Sequence, residues 1–252
     1  MSRSEERWAL VTGAGKRLGR AVALELARHG WNIAVHYGGS AKDAEQTAAD
    51  IRALGRGAVT LQADLADANA LPGLVSAAVA AGPLRALVNS AATFEHDVIG
   101  TLTPEALHRQ MDVNALAPAL LARAFADALP ADARGAVVNF LDFKLATPYP
   151  DHFSYTLTKY ASAGAVELLA RALAPKVRVN AVAPGYVLPA PGQSDADYRK
   201  KHADTPLARG TTPEDVASAV RFLIESPAIT AQTIFVDSGL RFRTFEKDIG
   251  FE

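Results

Sequence analysis

The sequence contains no cysteine, which excludes disulfides, thiolate metal sites and cysteine nucleophiles. It also has almost no net charge: 26 lysines and arginines stand against 27 acids, leaving −1 with histidine neutral. Nothing global therefore draws the chain to nucleic acid or to an anionic membrane, and a small-molecule partner is expected. No segment has the roughly 18 uncharged apolar residues needed to span a bilayer. The start, "MSRSEERWALVTG", lacks the longer apolar region and small-residue cleavage site of a signal peptide, so a cytoplasmic protein is expected. His29, His36, His96, His108, His152 and His202 are scattered, with no pair at helical ligand spacing and no His-Glu-x-x-His, so no metal site is expected.

What is present is a chain of 252 residues, 49% of them hydrophobic, enough for a substantial core within one domain. Short apolar runs alternate with longer amphipathic stretches, the pattern of βα units. Strands are predicted at 8–12, 32–36, 58–63, 85–90, 135–141, 177–183 and 233–237, about seven in all and mostly parallel because helices intervene. Helices are predicted at 18–30, 42–54 and 68–81, and a long one from Ser154 to Ala174, stopped by Pro175. Residues 184–210 are rich in proline, glycine and charge, break the alternation and read as a functional loop.

"VTGAGKRLGRA" follows the first strand and opens the first helix, where open α/β sheets bind a pyrophosphate. Gly13 and Gly15 allow a tight turn, Gly19 permits close packing, and the helix aims free N–H groups at phosphate. The same glycines would also serve a bare tight connection. The second strand ends "VHYGGS", with His36, Tyr37 and Ser40 where NAD-specific sites usually carry an acid. With Lys16 and Arg17 nearby, the charge suits a 2′-phosphate, so NADP(H) is expected over NAD(H).

Tyr155 and Lys159, four apart on a predicted helix, lie on one face, so the lysine can favour ionisation of the phenol. Such a tyrosine could protonate a carbonyl or imine as hydride arrives. Taken alone, Tyr-x-x-x-Lys fits two exposed polar residues on an amphipathic helix as well.

From Trp8 to about Gly239 the chain resembles the short-chain dehydrogenase/reductase family, through "TGAGKRLG" (12–19), "ADL" (63–65), "NSAA" (89–92), "VN" (113–114), "YTLTK" (155–159), "RVNAVAPG" (178–185) and "VDSG" (236–239). The resemblance implies an α/β, single-domain, Rossmann-like doubly wound parallel sheet with helices on both faces, a nicotinamide cofactor and a homotetramer. It implies Tyr155 as general acid and Lys159 as the group that holds the nicotinamide ribose and lowers the tyrosine pKa. Asn114 would interrupt a helix and hold a water relaying protons to Lys159. Gly13, Lys16, Arg17, Leu18 and Gly19 would cradle phosphate; Asp64 and Leu65 would contact adenine; Asn89, Ser90 and Ala91 would line the adenosine ribose; and Pro184, Gly185 and Val187 would flank the nicotinamide.

Where the sequence departs from the family it is more specific. The usual serine thirteen residues before the tyrosine is Asp142, the middle glycine of the turn is Arg17, the glycine of the NNAG segment is Ala92, and Pro189 replaces the threonine after the PG motif. Asp142 and Arg17 together, with "HYGGS" and "LVNSAATF", resemble the pteridine reductase branch, which includes the bacterial dihydromonapterin reductases. That branch implies Arg17 bridging cofactor phosphate and substrate, and Phe94 stacked on a flat pterin. Reducing a ring C=N bond needs a proton on nitrogen, and a carboxyl at Asp142 can hydrogen-bond that nitrogen or help deliver the proton.

The leading expectation is NADPH-dependent reduction of a dihydropterin (dihydromonapterin, dihydrobiopterin or dihydrofolate) to the tetrahydro form, with Arg17, Phe94, Asp142 and Tyr155 at the substrate. The alternatives are a reductase of a ketone, sugar or 3-oxoacyl thioester, and a non-catalytic NADP(H)-sensing module. The tail at 240–252 reads as a docked or frayed terminus, and its Phe242, Phe245 or Phe251 are candidates to meet a neighbouring subunit's site.

Overall fold

Strands β1 (Trp8–Val11) and β5 (Gly135–Phe140) are buried at every residue, because helices cover both faces of the sheet they belong to. The computed structural model describes residues 6–190 and 192–251. In chain order β1 is followed by α1 (Arg17–Arg28), β2 (Asn32–Tyr37), α2 (Ala41–Ala53), β3 (Ala58–Gln62), α3 (Leu71–Ala81) and β4 (Leu84–Asn89). Then come α4 (Pro104–Met111), α5 (Ala117–Ala128), β5, α6 (Phe153–Leu173), β6 (Val177–Pro184), α7 (Asp195–Ala203), α8 (Pro213–Glu225) and β7 (Thr233–Val236).

The sheet has seven strands in the order β3-β2-β1-β4-β5-β6-β7, and every pairing is parallel. The expected doubly wound, single-domain architecture is therefore present, with its topological switch between β1 and β4. Alternate strand residues divide between two cores, as the period of two requires. Val11, Val35 and Val88 meet α1, α2 and α8, whereas Leu10, Leu87 and Val137 meet α3, α5 and α6. Each predicted strand is found within about a residue of its expected ends, the usual uncertainty of such boundaries.

Two differences bear on the site. The stretch read as a loop at 184–210 contains α7, capped by the Ser194 hydroxyl accepting the Asp197 N–H. The tail folds back on its own chain: Phe245 packs edge-on against Phe143 and Tyr149, while Phe242 is exposed. The side chain of Phe251 lies outside the described residues. Among the described residues no helix is long and apolar enough to cross a membrane.

Candidate active site

Every strand points its carboxyl end the same way, and the ends of β1, β4, β5 and β6 open into one cavity of about 590 Å³. Its floor is the glycine turn. Gly13 takes φ +64°, and a Cβ there would stand 3.0 Å from the Ala91 Cα. A Cβ on Gly19 would collide with the Gly13 carbonyl oxygen, so only glycine lets α1 start this close to β1. Arg17 takes the left-handed φ of 50° at the position where the family turn has glycine. Its guanidinium reaches the Pro189 carbonyl at 3.4 Å and stays exposed at the cavity. No side chain caps α1, whose N-cap residue is Lys16. The first-turn N–H groups and the positive end of the helix therefore face the cavity, which suits a phosphate.

The turn is braced from two sides. The Thr12 hydroxyl oxygen accepts the Ser90 and Ala91 N–H groups at 3.0 and 3.1 Å. His36 Nδ1 accepts the Gly13 N–H at 3.2 Å, and Nε2–H donates to the Ala63 carbonyl at 3.1 Å. His36 was expected at the cofactor; it is instead buried, with both ring nitrogens spent on backbone. Burial holds its pKa below the usual value, so it braces the turn as a neutral ring. Lys16 and Arg17 are both exposed at the cavity, with the Lys16 ammonium ion-paired to Asp43 at 3.0 Å. Tyr37 and Ser40 sit at the β2–α2 junction, and a Cβ on the neighbouring Gly39 would meet nothing within 4 Å. Asp64 Oδ1 accepts the Ala66 N–H while Leu65 is buried in the core. The Asn89 side chain is turned inward, donating to Asn139 Oδ1 at 2.8 Å, so of the 89–91 segment Ser90 and Ala91 line the cavity.

The reacting end is built on the start of α6. The Tyr155 hydroxyl donates to Asp142 Oδ2 at 2.8 Å, and Asp142 Oδ1 accepts the Lys144 N–H at 2.9 Å. Burial raises the Asp142 pKa; those two hydrogen bonds and the nearby lysines only partly offset it. Tyr155 departs from the expectation of a lowered pKa. Burial and the adjacent Asp142 push it well above its usual value, so the phenol stays protonated. Burial instead drops the Lys159 pKa to about 8, with Asp142 opposing. The Lys159 ammonium donates to the Phe140 carbonyl at 2.8 Å.

Asn114 does interrupt a helix, lying in the π-helical turn Asp112–Leu116 between α4 and α5. Its side chain bonds the Thr93 main chain in both directions and donates to Thr158 Oγ1. Its main-chain carbonyl accepts the Ser162 hydroxyl at 2.7 Å, keeping one lone pair for a further donor. Phe94 lines the cavity with one face stacked on His152 at 4.0 Å and 7°, and stands edge-on to Tyr155 at 4.7 Å. Pro184, Gly185 and Val187 form the far wall. A Cβ on Gly185 would stand 2.9 Å from Asp237, so that wall also needs its glycine.

The sequence reading missed three side chains here. Asp97 accepts the Ser154 N–H at 3.0 Å and holds the start of α6. Lys144 is buried, donating to the Asp151 carbonyl at 3.0 Å and lying 3.8 Å over the Tyr149 ring. Asp248, from the tail, lines the cavity. None lies in a local pattern; Lys144, two residues after Asp142, offered the nearest signal.

A phosphate-ready glycine turn and a buried Tyr–Lys pair at one cavity set the context for comparison with known proteins. A short-chain dehydrogenase family model described as enoyl-(acyl carrier protein) reductase matches residues 13–241. The chain belongs to the short-chain dehydrogenase/reductase family. This oxidoreductase is 36% identical, over 96% of its length and 100% of the relative's, to an uncharacterized oxidoreductase of Methylorubrum extorquens. It is 33% identical to the 3-oxoacyl-[acyl-carrier-protein] reductase FabG of Staphylococcus aureus, covering 92% of this chain and 97% of the relative. Among solved structures it is similar to FolM alternative dihydrofolate reductase 1 of Brucella canis, complexed with NADP, with a TM-score of 0.90 and 37% identity. That match covers 96% of this chain and 97% of the other. The Brucella suis protein, also in complex with NADP, gives the same values.

Proposed function

We propose that this oxidoreductase uses NADPH to reduce a dihydropterin to the tetrahydro form. The observation that carries the reading is the Tyr155–Asp142 hydrogen bond of 2.8 Å at a cavity edged by Phe94. A serine in place of Asp142 could not store a proton; a buried carboxyl with a raised pKa can. The likeness to FolM supports the same substrate class.

The turn fits a dinucleotide: Gly13, Gly19 and Gly185, where a Cβ would strike neighbouring protein atoms, let the chain pack closely around the cavity, and the uncapped α1 terminus there suits its phosphates. Arg17 would hold phosphate and reach toward the substrate, and the open ground at Gly39 leaves room for a 2′-phosphate. Ser90, Ala91 and Pro184–Val187 would enclose the remainder, with Lys159 at the nicotinamide ribose. When bound, NADPH supplies the hydride.

The chain's own residues manage the proton. Tyr155, held protonated, donates to the ring nitrogen as the C=N bond is reduced. Asp142 accepts the phenol's hydrogen bond before transfer, and a proton it takes up from solvent passes to the phenolate afterwards. Lys159 supplies positive charge beside the phenolate that forms transiently, and the Asn114 carbonyl offers its free lone pair to a water behind it. Phe94 presents its uncovered face to the planar substrate. The apolar side chains of Leu157, Tyr160 and Leu168, exposed on α6, support a homotetramer assembled through that helix.

The 33% identity to FabG favours one second reading, reduction of a 3-oxoacyl thioester. NADPH oxidation measured against dihydromonapterin, dihydrobiopterin, dihydrofolate and acetoacetyl thioester separates the two. Turnover of a dihydropterin is expected; turnover of the thioester alone would overturn the proposal.

A further inference from the structure

Asp248 reaches the cavity from the far end of the chain, on a tail that is tied down at several points. Its N–H donates to Asp151 Oδ2 at 2.7 Å, and the Tyr149 hydroxyl donates to Asp248 Oδ2 at 3.1 Å. Nearby, the Thr147 hydroxyl donates to the Arg243 carbonyl at 2.8 Å. Ile249 is buried with Phe143, Tyr149 and Leu240. Apart from Leu240, these anchors fall in residues 143–151, the segment that leaves Asp142, so the tail and the proton-handling carboxyl share one support.

The Asp248 carboxylate is not used up by these contacts. Oδ1 accepts the Gly250 N–H at 2.9 Å and Oδ2 accepts Tyr149, leaving each oxygen a further lone pair on the cavity wall. The nearby buried cation, Lys144, directs its ammonium at Asp151 and the Tyr149 ring. The cavity is thus polarised, with Arg17 and the α1 terminus on the phosphate side and a carboxylate on the tail side.

We infer that Asp248 is a specificity-determining residue: it accepts hydrogen bonds from neutral N–H or O–H donors on the substrate's substituent and disfavours an anionic substituent. This rests on the dihydropterin reading. A dihydropterin with a polyhydroxylated side chain offers such donors, whereas dihydrofolate carries a glutamate dianion. A carboxylate on the wall repels that dianion, most strongly at low ionic strength.

The test is kcat/KM for dihydromonapterin and for dihydrofolate in the wild type, D248N and D248E, with Asp248→Ser repeating the measurement should the amide variant not fold. The wild type is expected to prefer dihydromonapterin. D248N is expected to narrow that preference by about tenfold, chiefly by raising activity on dihydrofolate, while D248E retains it. An unchanged ratio in D248N, in an enzyme that reduces both pterins, overturns the role of Asp248 and leaves the proposed function standing. A wild type that reduces acetoacetyl thioester and no dihydropterin overturns both.

Discussion

Asp97 grips Ser154 from 57 positions away, accepting its backbone N–H through both carboxylate oxygens, at 3.0 and 3.2 Å, and its hydroxyl as well. Ser154 immediately precedes Tyr155, so the carboxylate that caps α6 also fixes where the phenol stands. Asp97→Ala should cost about 1–2 kcal/mol of stability, as the loss of a helix cap does. It should also lower kcat more than it alters NADPH affinity. Denaturant unfolding with steady-state kinetics checks both; a normal kcat would detach Asp97 from the placement of Tyr155.

Exchanging Asp142 for the serine usual in the family isolates the proton store. Asp142→Ser should reduce kcat/KM on a dihydropterin by roughly 10²-fold, the scale of a lost acid–base group. Binding of NADPH, followed by nucleotide fluorescence, should stay near the wild-type value. Tyr155→Phe should lose at least as much activity, and the double variant little more than the worse single one, because the pair acts as a unit.

Lys159 provides a pH signature. Its pKa is about 8 in the folded protein against 10.5 unfolded, so between these values the unfolded chain binds the extra proton. Stability from this group is full above the unfolded pKa, is lost as pH falls through about 8, and therefore rises with pH across that window. Lys159→Met should remove this component from the pH dependence of unfolding. For activity, kcat/KM of the free enzyme should fall above an inflection near 8. Because the Asp142 carboxylate supports the lysine charge, D142N should move the inflection of the residual activity to lower pH.

The buried His36 gives the opposite pH limit. Its folded pKa lies below 6.5, so its contribution to stability is present above 6.5 and lost as pH falls through the folded value. Protonated Nδ1 cannot accept the Gly13 N–H, so NADPH affinity should weaken in the same acid range. His36→Leu should destabilise the fold by about 1–2 kcal/mol, leaving the partly buried Gly13 N–H and Ala63 carbonyl without their partner. NADPH titrations and unfolding curves between neutral and mildly acid pH provide the check.

The strands were legible because burial on both faces leaves nearly continuous apolar runs, and Tyr155 with Lys159 because a helix makes a spacing of four into a shared face. Helix α7 was not, since no residue of it is buried and its sequence carries no apolar stripe. Asp97 and Asp248 meet their partners across 57 and 99 positions, where no local pattern operates. The direction of the Tyr155 shift depends on burial and on the Asp142 charge, which outweigh the lysine that local spacing singled out. Which way the His36 and Asn89 side chains turn is likewise decided by neighbouring strands.

The contacts that brace the glycine turn have a consequence for how nucleotide preference can change. Thr12 is met by the amides of residues 90 and 91, and His36 by the amide of Gly13 and the carbonyl of Ala63, all main-chain atoms that any sequence supplies. Of residues 37–40, at the end of β2, Tyr37 supports that brace only through its main-chain carbonyl, which accepts the Ala63 N–H at 3.2 Å. Side-chain substitutions at those four positions should therefore leave the turn's brace, and the Tyr155–Asp142 hydrogen bond, in place.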